Sequence, residues 1–346
     1  MEPKYGIIGC GGISRFHFSG LEKLGAQIVH VADINEAAAK SYAQRFGAKC
    51  STDYRRVIED PDVTVVSVLT GAKSHYEICI AALKAGKDVI CEKTMANNAE
   101  EAEEIVRTAQ ASGRLFFSAY MKRYFPAVQK AKELFPELGR IFSAQVRAYH
   151  PWGNIFESPY PEWVDQAIQL YGGAVIKMAG SHMIDMTQYF FGRPSSLYAH
   201  VDYIPETQTD RKVTSIWEYG SGMTVSFEAL GHPLKKIGYE RNSWDEKLEI
   251  NGVNGRIELY FVLWDQPENN AVLLVHYDNE RGTSTEYRFD AMNPFDEEMR
   301  YFHQCLINRE RGHCTEVDGF NVDVIIETMV ESSRTKASVA IDWKGL

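Results

Sequence analysis

The chain has 346 residues, 45% hydrophobic and 24% charged, with a formal net charge of −10. That length suggests about two domains and a core large enough to need no disulfide or metal staple. The acidic balance argues against nucleic acid or an anionic membrane surface as the partner. No apolar run approaches the ~18–20 residues of a spanning helix. Met1-Glu2-Pro3-Lys4-Tyr5 leads straight into a strand pattern, so no signal peptide is expected. The six cysteines, Cys10, Cys50, Cys79, Cys91, Cys305 and Cys314, form no CxxC pair, and several sit in apolar runs. This predicts a reduced, cytoplasmic chain without a metal site.

The first ~120 residues alternate apolar runs with helical spacing. Residues 5–9 read as a buried strand, and Ile13, Phe16, His17, Gly20, Leu21 and Leu24 as a helix face. Residues 28–32 predict a second strand, and Ala39, Tyr42, Ala43 and Phe46 a second helix closed by Gly47. Residues 63–69 read V-T-V-V-S-V-L, apolar enough to be buried on both faces. A helix with His75, Ile78, Cys79, Ala82 and Leu83 on one face follows, ended by Gly86. Strand 89–91, an acidic helix over 98–110 stopped by Gly113, and strand 115–119 complete the pattern. Short connections between alternating strands and helices predict a parallel sheet wrapped by helices.

After Tyr120 the rhythm changes. A helix over 125–135, a strand over 141–149, an aromatic loop from His150 to Trp163 and a helix over 174–191 are expected. Strand patterns then recur at 197–203, 213–219, 223–229, 247–250, 257–262, 272–277 and 286–289. Ser221-Gly222 reads as a hairpin turn, and helices over 295–308 and 319–336 close the chain. The fold expected is α/β: a Rossmann domain over 1–121, then an α+β domain over 122–346 with a large, mostly antiparallel, open-faced sheet.

Gly9-Cys10-Gly11-Gly12-Ile13-Ser14 falls between the first strand and the first helix and fits G-x-G-x-x-G/A, with serine in the third small position. The first glycine permits the tight turn, and the second admits a pyrophosphate close to the backbone. The third position must be small for the helix to pack on the sheet. Gly11, Gly12 and Ile13 then bring free N–H groups to the phosphates. Asp33 ends the second strand, 24 residues after Gly9. A carboxylate there accepts hydrogen bonds from ribose hydroxyls and repels a 2′-phosphate, so NAD is expected over NADP.

Further pieces recur in order: Ala85-Gly86-Lys87-Asp88-Val89-Ile90-Cys91-Glu92-Lys93, Arg123-Tyr124 with Pro126, Leu138-Gly139-Arg140-Ile141, Gly172-Gly173-Ala174, Gly180-Ser181-His182-Met183-Ile184-Asp185 and Gly192-Arg193-Pro194. With the glycine motif they resemble the Gfo/Idh/MocA oxidoreductases over nearly the whole chain. The resemblance implies an NAD-dependent sugar or polyol dehydrogenase, with Thr70, His75, Glu92 and Lys93 beside the cofactor. It implies a sugar bound against the open sheet face, and a homodimer or homotetramer built through the sheet's other side. Lys93 resembles the lysine of the family's Glu-Lys-Pro, where an ammonium polarises the reacting oxygen. His182 resembles the family's catalytic histidine, which takes the hydroxyl proton. Asp185, three residues on, is expected to form a structural ion pair or to orient His182.

The sequence departs from the family in three places. Thr94 stands where proline follows the lysine. Thr70-Gly71-Ala72 replaces Thr-Pro-Asn, and Met178 occupies the position of an aspartate four before the histidine. Lys177 is next to it, but on a regular helix it points ~140° away from His182. The incomplete set leaves two alternatives open. One is cofactor-recycling chemistry on a glycoside, by cleavage or epimerisation; the other is a non-catalytic dinucleotide-binding regulator. Retention of Lys93 and His182 favours the enzyme. Arg123, Tyr149 and Trp152 are candidate substrate contacts, with His150, Tyr160 and Trp163 nearby. Apolar side chains from 223–229 and 257–262 are expected on an exposed, self-associating sheet face.

Overall fold

The strand patterns of the first half pair into one parallel sheet. The computed structural model describes residues 2–157, 160–161, 163–164, 170, 173–266 and 271–346. Met1 and Gly172, and residues 158, 159 and 162 of the aromatic loop, therefore lie outside the described residues. The strands are β1 (Lys4–Ile8), β2 (Gln27–Ala32), β3 (Lys49–Ser51), β4 (Val65–Val68), β5 (Asp88–Glu92) and β6 (Phe116–Ala119), in the order β3-β2-β1-β4-β5-β6. Between them run α1 (Ser14–Lys23), α2 (Glu36–Phe46), α3 (Arg55–Glu59), α4 (His75–Lys84) and α5 (Ala99–Ser112). β4, β5 and β6 are buried at every position, as strands covered on both faces must be. Asn35 caps α2 by accepting the Ala37 and Ala38 N–H groups, and Gly47, at φ 64°, ends it. β3 and α3 were not expected, because a three-residue edge strand and a single helical turn carry no periodicity. The strand order reverses beside β1, and the loops at that point receive ligands in sheets of this kind.

This first unit extends to Met121 and also includes Phe295–Asp323. The expected continuous second domain, 122–346, is therefore interrupted. The reason is apolar packing by α8 (Pro294–Asn308), numbered after α6 and α7 below. Phe295 stacks on Phe16 at 4.3 Å and Phe302 on Phe117 at 4.8 Å, while Met299 packs so close to Gly20 that a Cβ there would meet it at 2.8 Å.

The second unit comprises Lys122–Pro294 and Val324–Gly345. It contains α6 (Pro126–Leu134), β7 (Ile141–His150), α7 (Ser181–Phe191), β8 (Ser196–Tyr203), β9 (Asp210–Glu218), β10 (Thr224–Gly231), β11 (Asp245–Gly252), β12 (Gly255–Phe261), β13 (Leu273–Asp278), β14 (Thr283–Tyr287) and β15 (Val339–Ala340). The described strands order as β14-β13-β12-β11-β7-β10-β9-β8-β15. Neighbours are antiparallel except β7 and β10, which run parallel. α9 (Glu316–Thr335) follows α8. Val225, Phe227, Ala229, Ile257, Leu259 and Phe261 are buried, whereas Thr224 and Ser226 face out. The expected apolar exposed face is thus corrected. Alternation turns the apolar residues of these strands to the covered face and leaves a largely polar one, with Tyr198, Ile216 and Tyr277 among its exposed large side chains.

Candidate active site

The glycine loop follows β1. Gly9 has φ 102°, and a Cβ there would lie 2.6 Å from the Leu69 carbonyl oxygen, so only glycine fits. A Cβ at Gly11 or Gly12 would meet nothing within 4 Å, so the loop's outer side is open. Ile13 precedes α1, whose start has no side-chain cap and no acidic residue in its first turn. No side chain or negative charge therefore blocks an anion at this helix start, although the Ser14 and Phe16 N–H groups donate to the Gly11 and Ile13 carbonyls. Asp33 is fixed from both sides: Oδ2 accepts the Cys10 N–H at 2.6 Å and Oδ1 the Asn35 N–H at 2.7 Å. Each oxygen keeps lone-pair capacity for a ribose hydroxyl. Burial, then the Asp33 charge, push the Cys10 thiol up to about 12. These residues fit a dinucleotide. Sequence reasoning passed over Ile34, 95% exposed beside Asp33, an apolar side chain that offers a platform for a base. An isolated isoleucine after a strand carries no signal without the turn that bares it.

The loops after β4 and β5 meet at His75. Its Nδ1 lies 2.8 Å from the Thr94 carbonyl oxygen and its Nε2 3.0 Å from that of Thr70. The ring is fully buried, and desolvation lowers its pKa against the opposing pull of those two carbonyls. His75 thus shapes the cofactor loops from beneath instead of presenting a surface to a ligand. Lys93 follows β5, and its N–H donates to Glu92 Oε2 at 3.1 Å. The buried His17 ring of α1 holds the other oxygen of Glu92, Nε2 to Oε1, at 2.9 Å. The Lys93–Thr94 peptide bond is cis.

In the second unit, His182 is the second residue of α7 and half-buried. The expected regular helix from Ala174 does not form. Val175–Gly180 is a π-helical turn, stabilised where Asp210 accepts the Ala174 and Ile176 N–H groups, each at 2.6 Å. A π-turn holds more residues per turn than an α-helix, so the ~140° separation expected of Lys177 and His182 on a regular helix does not apply through this segment. Asp210 is buried, and desolvation raises its pKa although these bonds and Lys177 pull it down. No periodicity marked Asp210, because its partner is a backbone turn distant in sequence.

Two substrate candidates are corrected. Arg123 is 2% exposed and two-pronged on Asp185, with Nε donating to Oδ2 at 3.0 Å and Nη2 to Oδ1, and its guanidinium lies over the Tyr189 ring. It anchors the helix that carries His182. Tyr149 points to the other side of the sheet. A Cβ at Gly180 would lie 3.6 Å from the Phe227 ring, so the π-turn packs on the face of Phe227 and Ala229, while Tyr149 donates its hydroxyl to Glu228 on the opposite face. Burial, then Glu228, raise its pKa. His182 likewise belongs to the covered side, so the expected approach of substrate over the open face does not include it.

Trp152 lies on the same side as His182, against Gly231, where a Cβ would come within 3.3 Å of its ring. It sits edge-on to Trp163 and to His150, each at 5.2 Å, and Trp163 Nε1 donates to the Trp152 carbonyl. His150 stacks on Trp244 at 3.7 Å. Glu246 joins the cluster, accepting from His150 Nε2 at 2.9 Å, Trp244 Nε1 at 3.1 Å and the buried Lys122 ammonium. Burial would raise the Glu246 pKa, but the Lys122 charge and the His150 bond hold it at about 2. Trp244 and Glu246 were missed because each is isolated within a polar stretch.

Comparison with known proteins bears on the family and the fold. Residues 3–120 match the model of the oxidoreductase family with an NAD-binding Rossmann fold, and residues 128–258 match the GFO/IDH/MocA C-terminal domain. Levoglucosan dehydrogenase from Pseudarthrobacter phenanthrenivorans is 36% identical, covering 90% of this chain and 88% of the relative. Myo-inositol 2-dehydrogenase from Thermotoga maritima is 25% identical over 83% of this chain and 82% of its own. Among solved structures, a levoglucosan dehydrogenase complexed with NADH and levoglucosan superposes with a TM-score of 0.84 at 24% identity, covering 99% of this chain and all of that one.

Proposed function

Because the chain belongs to the GFO/IDH/MocA family of NAD-binding oxidoreductases, we propose that its substrate is a pyranose of the anhydro-sugar type, oxidised at one ring hydroxyl. The chain is an NAD-dependent sugar or polyol dehydrogenase, and no helix among the described residues is long and apolar enough to cross a membrane. The observation that carries the substrate reading is 36% identity to a levoglucosan dehydrogenase along 90% of the chain. The Trp152–Trp163 pair on the His182 side of the sheet supports it, since an indole face suits a pyranose ring.

Gly9, Gly11, Gly12 and Ile13 hold the pyrophosphate of NAD, and Asp33 its adenosine ribose, in preference to NADP. NAD held there would supply the hydride acceptor. His182 takes the hydroxyl proton at an imidazole nitrogen, and the Lys93 ammonium stabilises the negative charge that grows on that oxygen, leaving a ketone. Met178 offers no proton relay, so His182 releases its proton by another route. The chain is read as cytoplasmic, in keeping with six cysteines that form no disulfide, and as a homodimer or homotetramer through the face bearing Tyr198 and Ile216. The test is NADH formation with levoglucosan, myo-inositol and xylose. The expected result is the highest kcat/KM on levoglucosan. Equal or better turnover of an open polyol would replace the anhydro-sugar assignment.

A further inference from the structure

His75 begins α4 and is 0% exposed, and its two ring nitrogens face two different loops. Nε2 faces the Thr70 carbonyl, in a turn where the Ser74 hydroxyl also donates to Thr70 Oγ1 at 2.7 Å. That turn packs directly against the dinucleotide loop: a Cβ on Gly9 would lie 2.6 Å from the Leu69 carbonyl oxygen and 3.0 Å from the Thr70 nitrogen. Nδ1 faces the carbonyl of Thr94, the residue after Lys93. Neither 69–74 nor 92–97 contains a proline, so no ring fixes a φ angle there and the shape of both loops depends on contacts. Other contacts hold the second loop. Glu92 takes the Lys93 N–H, and Asp323, 3% exposed, takes the Ala96 N–H at 2.9 Å. His75 adds the link to the first loop.

We propose that His75 is a positioning residue that locks the loop behind Gly9 to the loop that carries Lys93, so that one framework sets both the dinucleotide cradle and the reactive ammonium. This rests on the role given to Lys93 above. A neutral ring carries one N–H, so one loop is held by a hydrogen bond and the other by close packing on the ring edge. The tie acts through buried backbone carbonyls, and such contacts tighten where water is excluded.

The test compares amide hydrogen exchange of the NAD-free protein with His75→Phe, which keeps a planar ring, and His75→Gln, which keeps one amide donor. In His75→Phe, exchange at 70–74 and at 93–97 is expected to rise together, roughly tenfold, while β1 and β4 stay protected. kcat is expected to fall by about tenfold with KM for NAD changed less than about threefold, and His75→Gln to recover part of both effects. Should His75→Phe fail to fold, His75→Gln against wild type carries the same comparison. Faster exchange in one loop only, a uniform rise over the whole sheet, or loosened loops with unchanged kcat would each overturn the proposal. Exchange is read without substrate, so a wild-type protein that oxidises no sugar would count against the functional reading alone.

Discussion

Arg123 and Asp185 form a two-pronged ion pair in which both side chains are nearly inaccessible, 2% and 1% exposed. Asp185 lies one turn after His182 on α7, and Arg123 lies on the turn Met121–Tyr124, so the pair fixes the helix of the proposed base to the start of its unit. The adjacent Lys122 makes a second buried pair with Glu246, beside His150 and Trp244. Two consecutive cations thereby hold the His182 helix and the aromatic strand end.

Removing one partner leaves a buried charge uncompensated. Asp185→Asn or Arg123→Met should each destabilise by about 3–5 kcal/mol, whereas Arg123→Met with Asp185→Leu should recover most of that loss. Denaturant unfolding of the three variants checks this. A single variant within about 1 kcal/mol of wild type would show that the pair contributes little.

Two acid windows follow from buried groups. The pKa of His75 is lowered in the folded chain, first by desolvation and also by Lys93, with Thr94, Thr70 and Glu92 opposing. The unfolded state therefore binds its proton more readily, and stability should fall as pH drops below ~6.5. Glu246 is held at about 2, so its contribution is present above the ordinary carboxylate value of ~4.5 and is lost as pH falls from there toward 2. Its size is on the order of 3 kcal/mol. Melting temperature measured from pH 8 to pH 3 should decline in these two stages. His75→Phe should flatten the first stage, and Glu246→Gln should lower stability at pH 7 and flatten the second.

The parts of this molecule legible in its sequence are those with local causes. The β1–α1 turn is written in Gly9, Gly11 and Ser14, and Asp33 is found by its place at a strand end. Lys93 follows a strand in the same way. Arg123 and Tyr149 were misread because their assignments depend on partners far along the chain. Asp185 claims the first, 62 residues away, and Glu228 turns the second to the other face. The segment 295–323 was misplaced for a like reason: an amphipathic helix shows that it has an apolar face but not which surface will cover it. The π-turn at Val175–Gly180 depends on Asp210 from a later strand, so helical spacing alone gave the wrong angle for Lys177.

Cofactor choice can be tested at Asp33. Its two oxygens are held by Cys10 and Asn35, so the charge cannot swing away from a 2′-phosphate. Asp33→Ser keeps a hydroxyl for the ribose and removes the repulsion, which for close like charges amounts to several kcal/mol. The ratio of NADH to NADPH dissociation constants should move toward NADPH by at least about tenfold. Wild-type protein that binds NADPH more tightly than NADH would end this assignment.

The last prediction concerns the proposed base and its missing aspartate. His182→Ala should lower kcat by roughly 10²–10⁴-fold, the usual contribution of a general base, and leave NADH affinity unchanged. Full activity in that variant would place the base elsewhere. Met178→Asp then separates two accounts of the departure. On a regular helix, a carboxylate four residues before His182 would lie on its face and could take the proton onward. Here Val175–Gly180 is a π-turn that runs into α7 just before His182. A π-turn winds by about 80° per residue and an α-helix by about 100°, so two steps of each bring 178 round to nearly the face of 182. An added carboxylate, half-exposed beside Lys177, could therefore take the proton onward. Met178→Asp should raise kcat, or leave it unchanged where another route already removes the proton, and should not raise KM for the sugar. Weaker substrate binding with lowered kcat would show instead that the pocket is shaped for different chemistry, because a carboxylate placed where none is accommodated costs binding.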